Sequence, residues 1–242
     1  MTAITVAIDG PSGSGKSSVS RAVATTLGLA YLDTGAMFRA VTLWCLRHDL
    51  DLSDGEAVAQ IAASMPLEMV TDPDDPHVLL DGAVVDDELR SAELSARVSA
   101  VATNLSVRAH LADLQRDLIA TARADGPGIV VEGRDITTKI SPDAEHRILL
   151  SASEEARLAR RGAELKARGD SQGAAAIRDQ VVRRDRDDAT VSNFHEAAPG
   201  VHGIDTSPLT FEESVAAVLR VIDEPSRPQT TEHQPSTPGG QR

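Results

Sequence analysis

The sequence predicts an α/β domain built on a parallel sheet, and three observations carry that expectation. Short apolar runs alternate with longer segments whose apolar residues recur at helical spacing. Aromatic residues make up only 2% of the 242, so the core has to be aliphatic, and helix-forming Ala, Leu, Arg and Glu abound. The first apolar run, Ile4-Thr5-Val6-Ala7-Ile8, leads into Gly10-Pro11-Ser12-Gly13-Ser14-Gly15-Lys16-Ser17, which matches G-x-x-x-x-G-K-[ST] at each fixed position. A chain of this length can bury a substantial core, as one large or two small domains.

The glycine-rich stretch is a phosphate cradle in the strand-loop-helix context that such a cradle requires. Its glycines let successive N–H groups point into one concavity, and the helix beginning near Lys16 adds its positive end. Lys16 supplies a full charge and Ser17 a hydroxyl for a magnesium ion riding on the nucleotide. The motif implies a nucleoside triphosphate without saying what is done with it.

The elements follow in order. Residues 3–9 read as a buried strand and 16–27 as a helix, with Val19, Val23 and Leu27 at every fourth position before Gly28. Leu29–Leu32 is a second strand, delivering Asp33-Thr34-Gly35 to the sheet edge where ligands of open parallel sheets gather. A helix from Ala36 to about Arg47 carries Arg39 in its first turn, where a cation opposes the helix dipole and points to an anion. Ser53 and Glu56 have the spacing of a capping box for a short helix ending before Pro66. Leu67–Val70 and His77–Leu80 read as strands, and Asp81-Gly82 as a two-residue hairpin turn into Ala83-Val84-Val85. This β insert interrupts the βα alternation and reads as an accessory lobe outside the main sheet. Helices over 92–102 and 107–124 follow, then Asp125-Gly126-Pro127-Gly128 as a breaker. Ile129-Val130-Val131 is the next core strand and presents Glu132-Gly133-Arg134-Asp135 at the active edge; His146–Leu150 is another strand. A helix over 154–167, the Arg168-Gly169-Asp170 turn and an arginine-rich helix to about Arg186 can cover a site as a lid, or form an exposed hairpin. Gly203-Ile204-Asp205 is the last strand, and Thr210 with Glu213 boxes the final helix, ending near Asp223. Residues 224–242, rich in Pro, Thr, Gln, Ser and Gly, read as a disordered tail.

Charge is unevenly spread. The formal net charge is −13, yet residues 49–93 hold thirteen acidic residues against Arg90 alone. The arginines concentrate instead at Arg157, Arg160, Arg161, Arg178, Arg183, Arg184 and Arg186, where they can hold phosphate or simply be solvated. Overall acidity argues against nucleic acid as a partner. Cys45 is the only cysteine, so no intrachain disulfide forms; amid Val41, Leu43, Trp44 and Leu46 it reads as a buried, inert thiol in a reducing cytosol. With no basic flank before a long apolar segment and no run of about 18 apolar residues, neither a secretion signal nor a membrane span is expected. The expected location is cytoplasmic. No extended apolar heptad is evident, and a monomer is expected.

Three classes share such a cradle. A GTP-binding switch would show N-K-x-D, and neither Asn104 nor Asn193 begins one. A motor-type ATPase wants an apolar strand ending in a magnesium-binding Asp, to which Ile129-Val130-Val131-Glu132 is a partial match. A small-molecule kinase fits better, because Asp33, Arg39, Arg134 and Asp135 fall where parallel strands end, and phosphoryl transfer needs positioning and charge neutralisation above all.

The residues also carry a family resemblance. Gly10 to Ser17, Leu32-Asp33-Thr34-Gly35-Ala36-Met37-Phe38-Arg39, Val98-Ser99 with Val107-Arg108, Glu132-Gly133-Arg134-Asp135, and Arg184-Asp185 with Asp188 resemble, in order, the motifs of bacterial cytidylate kinases, over about residues 3–223. The resemblance implies a P-loop nucleoside monophosphate kinase fold: a five-stranded parallel sheet flanked by helices, an enlarged acceptor-binding insert and a helical lid. Residues 1–223 would form one domain, with a core of 1–48, 125–153 and 200–223, an acceptor lobe of about 49–124 and a lid of about 154–192. The implied reaction is direct in-line transfer from ATP to CMP or dCMP with Mg2+. The alternatives are a kinase for UMP or another small acceptor, and a nucleotide-binding regulatory protein.

By the same resemblance Gly10, Pro11, Ser12, Gly13, Ser14, Gly15, Lys16, Ser17 and Ser18 would bind ATP, with Ser17 on the metal. Ser99, Arg108 and Asp135 would hold cytosine, whose 4-amino group a carboxylate can accept where uracil presents a carbonyl. On spacing alone these three read as a helix residue, a surface charge and a cap. Arg39 and Arg134 would clamp the CMP phosphate near Thr34, and Arg184 and Asp188 would meet phosphate and ribose. Lys16, Arg134, Arg184 and the lid arginines Arg157 and Arg161 would spread the developing charge. Two positions depart from the family pattern. Val191 stands where a last arginine belongs, for which Arg183 or Arg186 could substitute, and Leu105 stands where a proline is common.

Overall fold

A computed structural model of the chain describes residues 2–167, 173 and 177–224. The expected Arg168-Gly169-Asp170 turn, and the expected tail beyond Glu224, lie outside the described residues.

β1 (Ile4–Asp9), α1 (Lys16–Leu27) and β2 (Ala30–Asp33) open the chain, followed by α2 (Thr34–Arg47) and α3 (Gly55–Ser64). β3 (Leu67–Val70), β4 (His77–Leu80) and β5 (Ala83–Val84) form a separate antiparallel sheet, and Asp81 and Gly82 turn between its last two strands at φ 53° and 73°. Both positive φ values are what a two-residue hairpin of this hand demands. α4 (Asp86–Leu89), α5 (Ala92–Ala102) and α6 (Leu105–Asp125) lead back to β6 (Gly128–Gly133). A π-helical turn, Ile136–Ile140, precedes β7 (His146–Ser151) and α7 (Glu154–Ala167). A second π-helical turn, Asp179–Arg183, runs into α8 (Arg184–Asp188), and β8 (His202–Asp205) and α9 (Phe211–Asp223) close the domain.

β2, β6, β1, β7 and β8 lie side by side in that order, all parallel. Side chains alternate between two cores. Val6, Ile8 and Val130 pack under α1 and α9 with Val19, Val23 and Val218, whereas Ala7, Ile129 and Val131 pack under α2 and α6 with Met37, Val41 and Leu111. Burial on both faces explains why these strands read as continuous apolar runs. A third cluster, including Ala40, Leu43, Val78, Leu80 and Leu94, seats the small sheet on α2. Cys45 is fully buried, and burial pushes its thiol up to about 11, in keeping with an inert group.

Gly128 begins β6 at φ 124°, and a Cβ there would sit 1.9 Å from the Ile4 carbonyl oxygen. Only glycine fits that close pairing of β6 with β1.

The structure differs from the sequence expectations at several ends. α3 is capped by Asp54, whose carboxylate accepts from Ala57 N at 3.1 Å, not by Ser53, whose own N–H is held by Asp51 Oδ1 at 2.9 Å. α2 begins at Thr34, because Asp33 accepts from Ala36 N at 3.0 Å, so Arg39 falls in its second turn, beyond most of the helix dipole. The Thr210–Glu213 capping box is present in both directions, at 2.8 and 3.2 Å. α4 and the turn at Ile136–Ile140 carried no expectation.

Leu105 is the first residue of α6 and is 71% exposed. Asn104 accepts from Ser106 N and Val107 N and has extended backbone (φ −73°, ψ 113°). Proline is at home at the first helical position, and an extended preceding residue admits it. Replacing Leu105 by proline is therefore expected to raise stability by about 0.5–1 kcal/mol, read as a higher denaturation midpoint; a drop would show that this N–H is needed.

Candidate functional site

The C-terminal ends of β1, β2 and β6 open into one cavity of about 1200 Å³. The phosphate loop forms one wall: Ser12, Gly13, Ser14, Gly15, Lys16, Ser17 and Ser18 line it, while Gly10 and Pro11 lie behind. Gly13 and Gly15 take φ of 77° and 89°, which turns the loop back on itself before α1 starts without any side-chain cap. The first N–H groups of α1 are thus left for an anion.

Beneath the loop, Glu132 is buried in β6 with 1% exposure. Lys16 Nζ lies 3.8 Å from Glu132 Oε2, the Ser17 side chain lies beside the same carboxylate, and Tyr31 donates to it at 3.3 Å. Burial, with Asp33 nearby, raises the Glu132 pKa. Burial also lowers the Lys16 ammonium to about 8, and Arg134 adds to that, with Glu132 opposing. On sequence Glu132 is a strand end and a partial match to the magnesium-binding acid of a motor-type ATPase; its burial beneath Lys16 is visible only in the fold.

Across the cavity three guanidiniums converge. Arg39, Arg134 and Arg184 all line it, and burial together with the charges of Arg39 and Arg134 brings Arg184 down to about 9. Arg39 makes no hydrogen bond or ion pair among the described residues, and its Nε and that of Arg184 are buried without hydrogen-bond partners. Arg134 is held more tightly. It donates to Gly10 O at 2.6 Å, pairs with Asp185 and Asp188, and stacks over the fully buried Phe194 at 4.8 Å. Asp188 Oδ1 is likewise buried and unpartnered. Thr34 spends its hydroxyl on Glu132 O at 2.7 Å, which ties the start of α2 to β6.

Asp135 stands at the far end. Its Oδ2 accepts from Arg108 Nη2 at 2.5 Å and lies 3.7 Å from Lys139 Nζ; no hydrogen bond engages Oδ1 among the described residues. Arg108 is braced by Ala102 O at 2.9 Å and by the Phe38 ring at 5.5 Å. The turn after Asp135 is fixed by Asp9, a 1%-exposed carboxylate at the end of β1 that accepts from Ile136 N, Thr137 N and the Thr137 hydroxyl at 3.0, 2.8 and 2.6 Å. Leaving either buried amide unpaired would cost roughly 1–3 kcal/mol. Burial raises the Asp9 pKa, with the Thr137 bonds opposing. No sequence pattern flagged Asp9, because its partners lie more than a hundred residues away.

The remaining expected residues divide between the cavity and positions behind it. Ser99 is buried on α5 and does not line the cavity, whereas Ser95, one turn earlier, does. Arg157 is tucked under the loop, donating to Ser12 O and pairing with Asp185. Arg161 reaches the cavity wall and pairs with Glu164 at 2.8 Å. Arg160, which the sequence marked only as part of a basic run, donates to Ser14 O at 3.2 Å and Thr206 Oγ1 at 2.9 Å, bridging loop and β8. Neither Arg183 nor Arg186 lines the cavity, and the cation at Val191 is Lys139, which donates to its carbonyl at 2.7 Å. Asn104 caps α6 with Leu105 in place, so Arg108 reaches the site without a proline before it.

The chain's likeness to known proteins agrees with this geometry. Residues 6–224 match the family model described as cytidylate kinase. A cytidylate kinase of Cutibacterium acnes is 46% identical over 220 residues, covering 90% of this chain and 96% of that protein. One of Streptomyces avermitilis is 42% identical over 224 residues, covering 92% and 94%. Among solved structures, an uncharacterized protein from Eubacterium ventriosum ATCC 27560 covers 92% of this chain and 99% of its own at TM-score 0.50 and 9% identity, a likeness of fold alone.

Proposed function

The chain belongs to the cytidylate kinase family, and from that premise we propose that it transfers the terminal phosphoryl group of ATP to the phosphate of CMP or dCMP. The observation that carries the reading is the convergence of Arg39, Arg134 and Arg184 opposite Lys16, with the Nε atoms of Arg39 and Arg184 buried without hydrogen-bond partners. Cations crowded so far from water repel one another, and a phosphate dianion between them relieves both that repulsion and their missing hydrogen bonds.

ATP enters with its phosphates in the loop from Gly10 to Ser18, and CMP with its phosphate among the three arginines. An acceptor phosphate oxygen attacks the terminal phosphorus in line, the bond to the bridging oxygen breaks, and ADP leaves with that electron pair. No general base is required, because the acceptor is already an anion near neutral pH. Lys16, Arg134 and Arg184 stabilise the charge that develops on the transferring group, joined from the lid by Arg161. Arg157 and Arg160 act on the loop itself, through Ser12 O and Ser14 O. Asp188, lining the cavity beside Arg184 with a free oxygen, suits a ribose hydroxyl. Val191 leaves the phosphate to three arginines.

Magnesium fits the residues present. Ser17 offers a hydroxyl beside the Glu132 carboxylate, and hard oxygen donors are the set this ion prefers. Among the described residues no group of three or more His, Cys, Asp or Glu could hold a metal, so the ion would come with the nucleotide's phosphates and neutralise their charge. At the other end, Asp135 Oδ1 is open to accept the cytosine amino group while Arg108 fixes Oδ2. Ser95 is the α5 hydroxyl at that wall, with Ser99 buried behind it.

We read 1–223 as one domain, since Leu67 and Met69 of the small sheet pack against the same core as Ala7 and Val131 of the main one. No helix among the described residues is long and apolar enough to cross a membrane.

Coupled ADP release measured with CMP, dCMP, UMP, AMP, GMP and no acceptor tests the proposal. Turnover is expected with CMP and dCMP. Equal rates with UMP would refute cytosine recognition, and nucleotide binding without acceptor-dependent turnover would refute the kinase.

A further inference from the structure

Asp185 belongs to the Arg184-Asp185 motif, yet no substrate role falls to it. It sits on α8 between two cavity-lining residues, Arg184 and Asp188 on the same helix, but is itself 3% exposed and does not line the cavity. Its carboxylate is shared among three segments. Oδ1 accepts from Ser12 N of the phosphate loop at 2.9 Å and lies 3.4 Å from Arg134 Nη2, and Oδ2 pairs with Arg157 Nη1 of α7.

Both arginine partners are also bonded to the loop. Arg157 donates to Ser12 O at 3.0 Å, and Arg134 donates to Gly10 O at 2.6 Å. The backbone of Arg157 comes so near that a Cβ on Gly13 would lie 2.9 Å from its carbonyl oxygen. Asp185 therefore closes a ring in which the donor loop, the start of the lid helix and an acceptor-side arginine are fixed to one carboxylate. A buried ion triad of this kind is a poor source of stability, because desolvation consumes most of the Coulombic gain. What it can supply is relative position.

We propose that Asp185 is a positioning residue that keeps the phosphate loop and Arg134 in one register, so that the donor and acceptor phosphates meet in line although Asp185 touches neither substrate. The inference rests on the kinase reading above. Mere charge balance would be met by any carboxylate at this place, including one a methylene longer. Register would not.

Asp185→Glu separates the two roles, because it keeps the charge for Arg134 and Arg157 while displacing the groups it holds. Steady-state kinetics in both substrates and thermal melts are compared with the wild-type protein. The expected result is a melting temperature near wild type, KM for ATP and CMP within about threefold, and kcat lower by about 100-fold, the cost of misplacement by ~1 Å. Arg157→Lys is expected to lower kcat by about tenfold alone and to add little to Asp185→Glu, since residues acting as a unit are not additive. A wild-type kcat in Asp185→Glu, or full additivity in the double variant, overturns the proposal. Should Asp185→Glu not fold, Arg157→Lys decides by itself, and an undiminished kcat there overturns it. Absence of CMP turnover in the wild-type protein overturns the kinase reading as well, whereas wild-type turnover beside an undiminished Asp185→Glu overturns this inference alone.

Discussion

Replacing Lys16 by methionine is expected to lower kcat by about 10³-fold, the upper end of what one preorganised electrostatic contact contributes. Lys16 is held on the cavity wall, 3.8 Å from buried Glu132, and the loop around it offers backbone N–H groups that remain in the variant. ATP binding is therefore expected to weaken far less than turnover falls, since the charge matters most when the phosphoryl group is in flight. The same lysine predicts a pH dependence. Burial first and Arg134 second bring its pKa down to about 8, and the ammonium form is the competent one. Competence is thus present below that value and lost above it, so kcat/KM for ATP should fall on the alkaline side of about pH 8. Bound phosphates favour the protonated form, so the corresponding limb of kcat should lie at higher pH. A kcat/KM profile flat through that range, or a methionine variant with near wild-type kcat, would remove Lys16 from the chemistry.

Replacing Asp135 by asparagine is expected to lower the preference for CMP over UMP by about 100-fold, within the ~1–3 kcal/mol that a good base contact discriminates. The open Oδ1 can accept from an amino group but repels a carbonyl oxygen, whereas an amide can turn either its oxygen or its nitrogen to the base. The change should come from a loss with CMP together with a gain or no change with UMP. Arg108 lies 2.5 Å from Oδ2 and loses a charged partner, so a second control is needed: Arg108→Lys should weaken CMP without helping UMP. Kinetic constants for both acceptors decide the matter. An unchanged CMP to UMP ratio in the asparagine variant would mean that the carboxylate only anchors Arg108.

Much of this was legible before any coordinates. The loop from Gly10 to Ser17 is a contiguous motif whose geometry follows from its own glycines, and it lies where the strand and helix flanking it were read. The hairpin at Asp81-Gly82 and the box at Thr210 and Glu213 are equally local, each closing over a few residues of chain. Cap choice at α3 went to Asp54 over Ser53 because adjacent residues compete for the same amides, and spacing alone does not rank them. The late arginines were harder. Arg157, Arg160 and Arg161 sit within one and a half turns of a helix, and which of them meets Ser12, Ser14 or the cavity depends on how α7 is rotated against the loop.

By itself the sequence determined the alternation of strands and helices, the phosphate loop and the motifs that mark the family, because these rest on period, turn chemistry and short-range spacing. The tertiary structure alone decided that Glu132 is buried beneath Lys16, that Asp9 fixes the turn behind Asp135, that Ser95 rather than Ser99 lines the wall, and that Asp185 joins the loop, α7 and Arg134. Each of these is a contact between residues far apart in the chain or a question of which helix face is turned inward. Both are settled by packing and desolvation across the whole domain, and a charged side chain's identity does not reveal whether its partner is water or another buried charge.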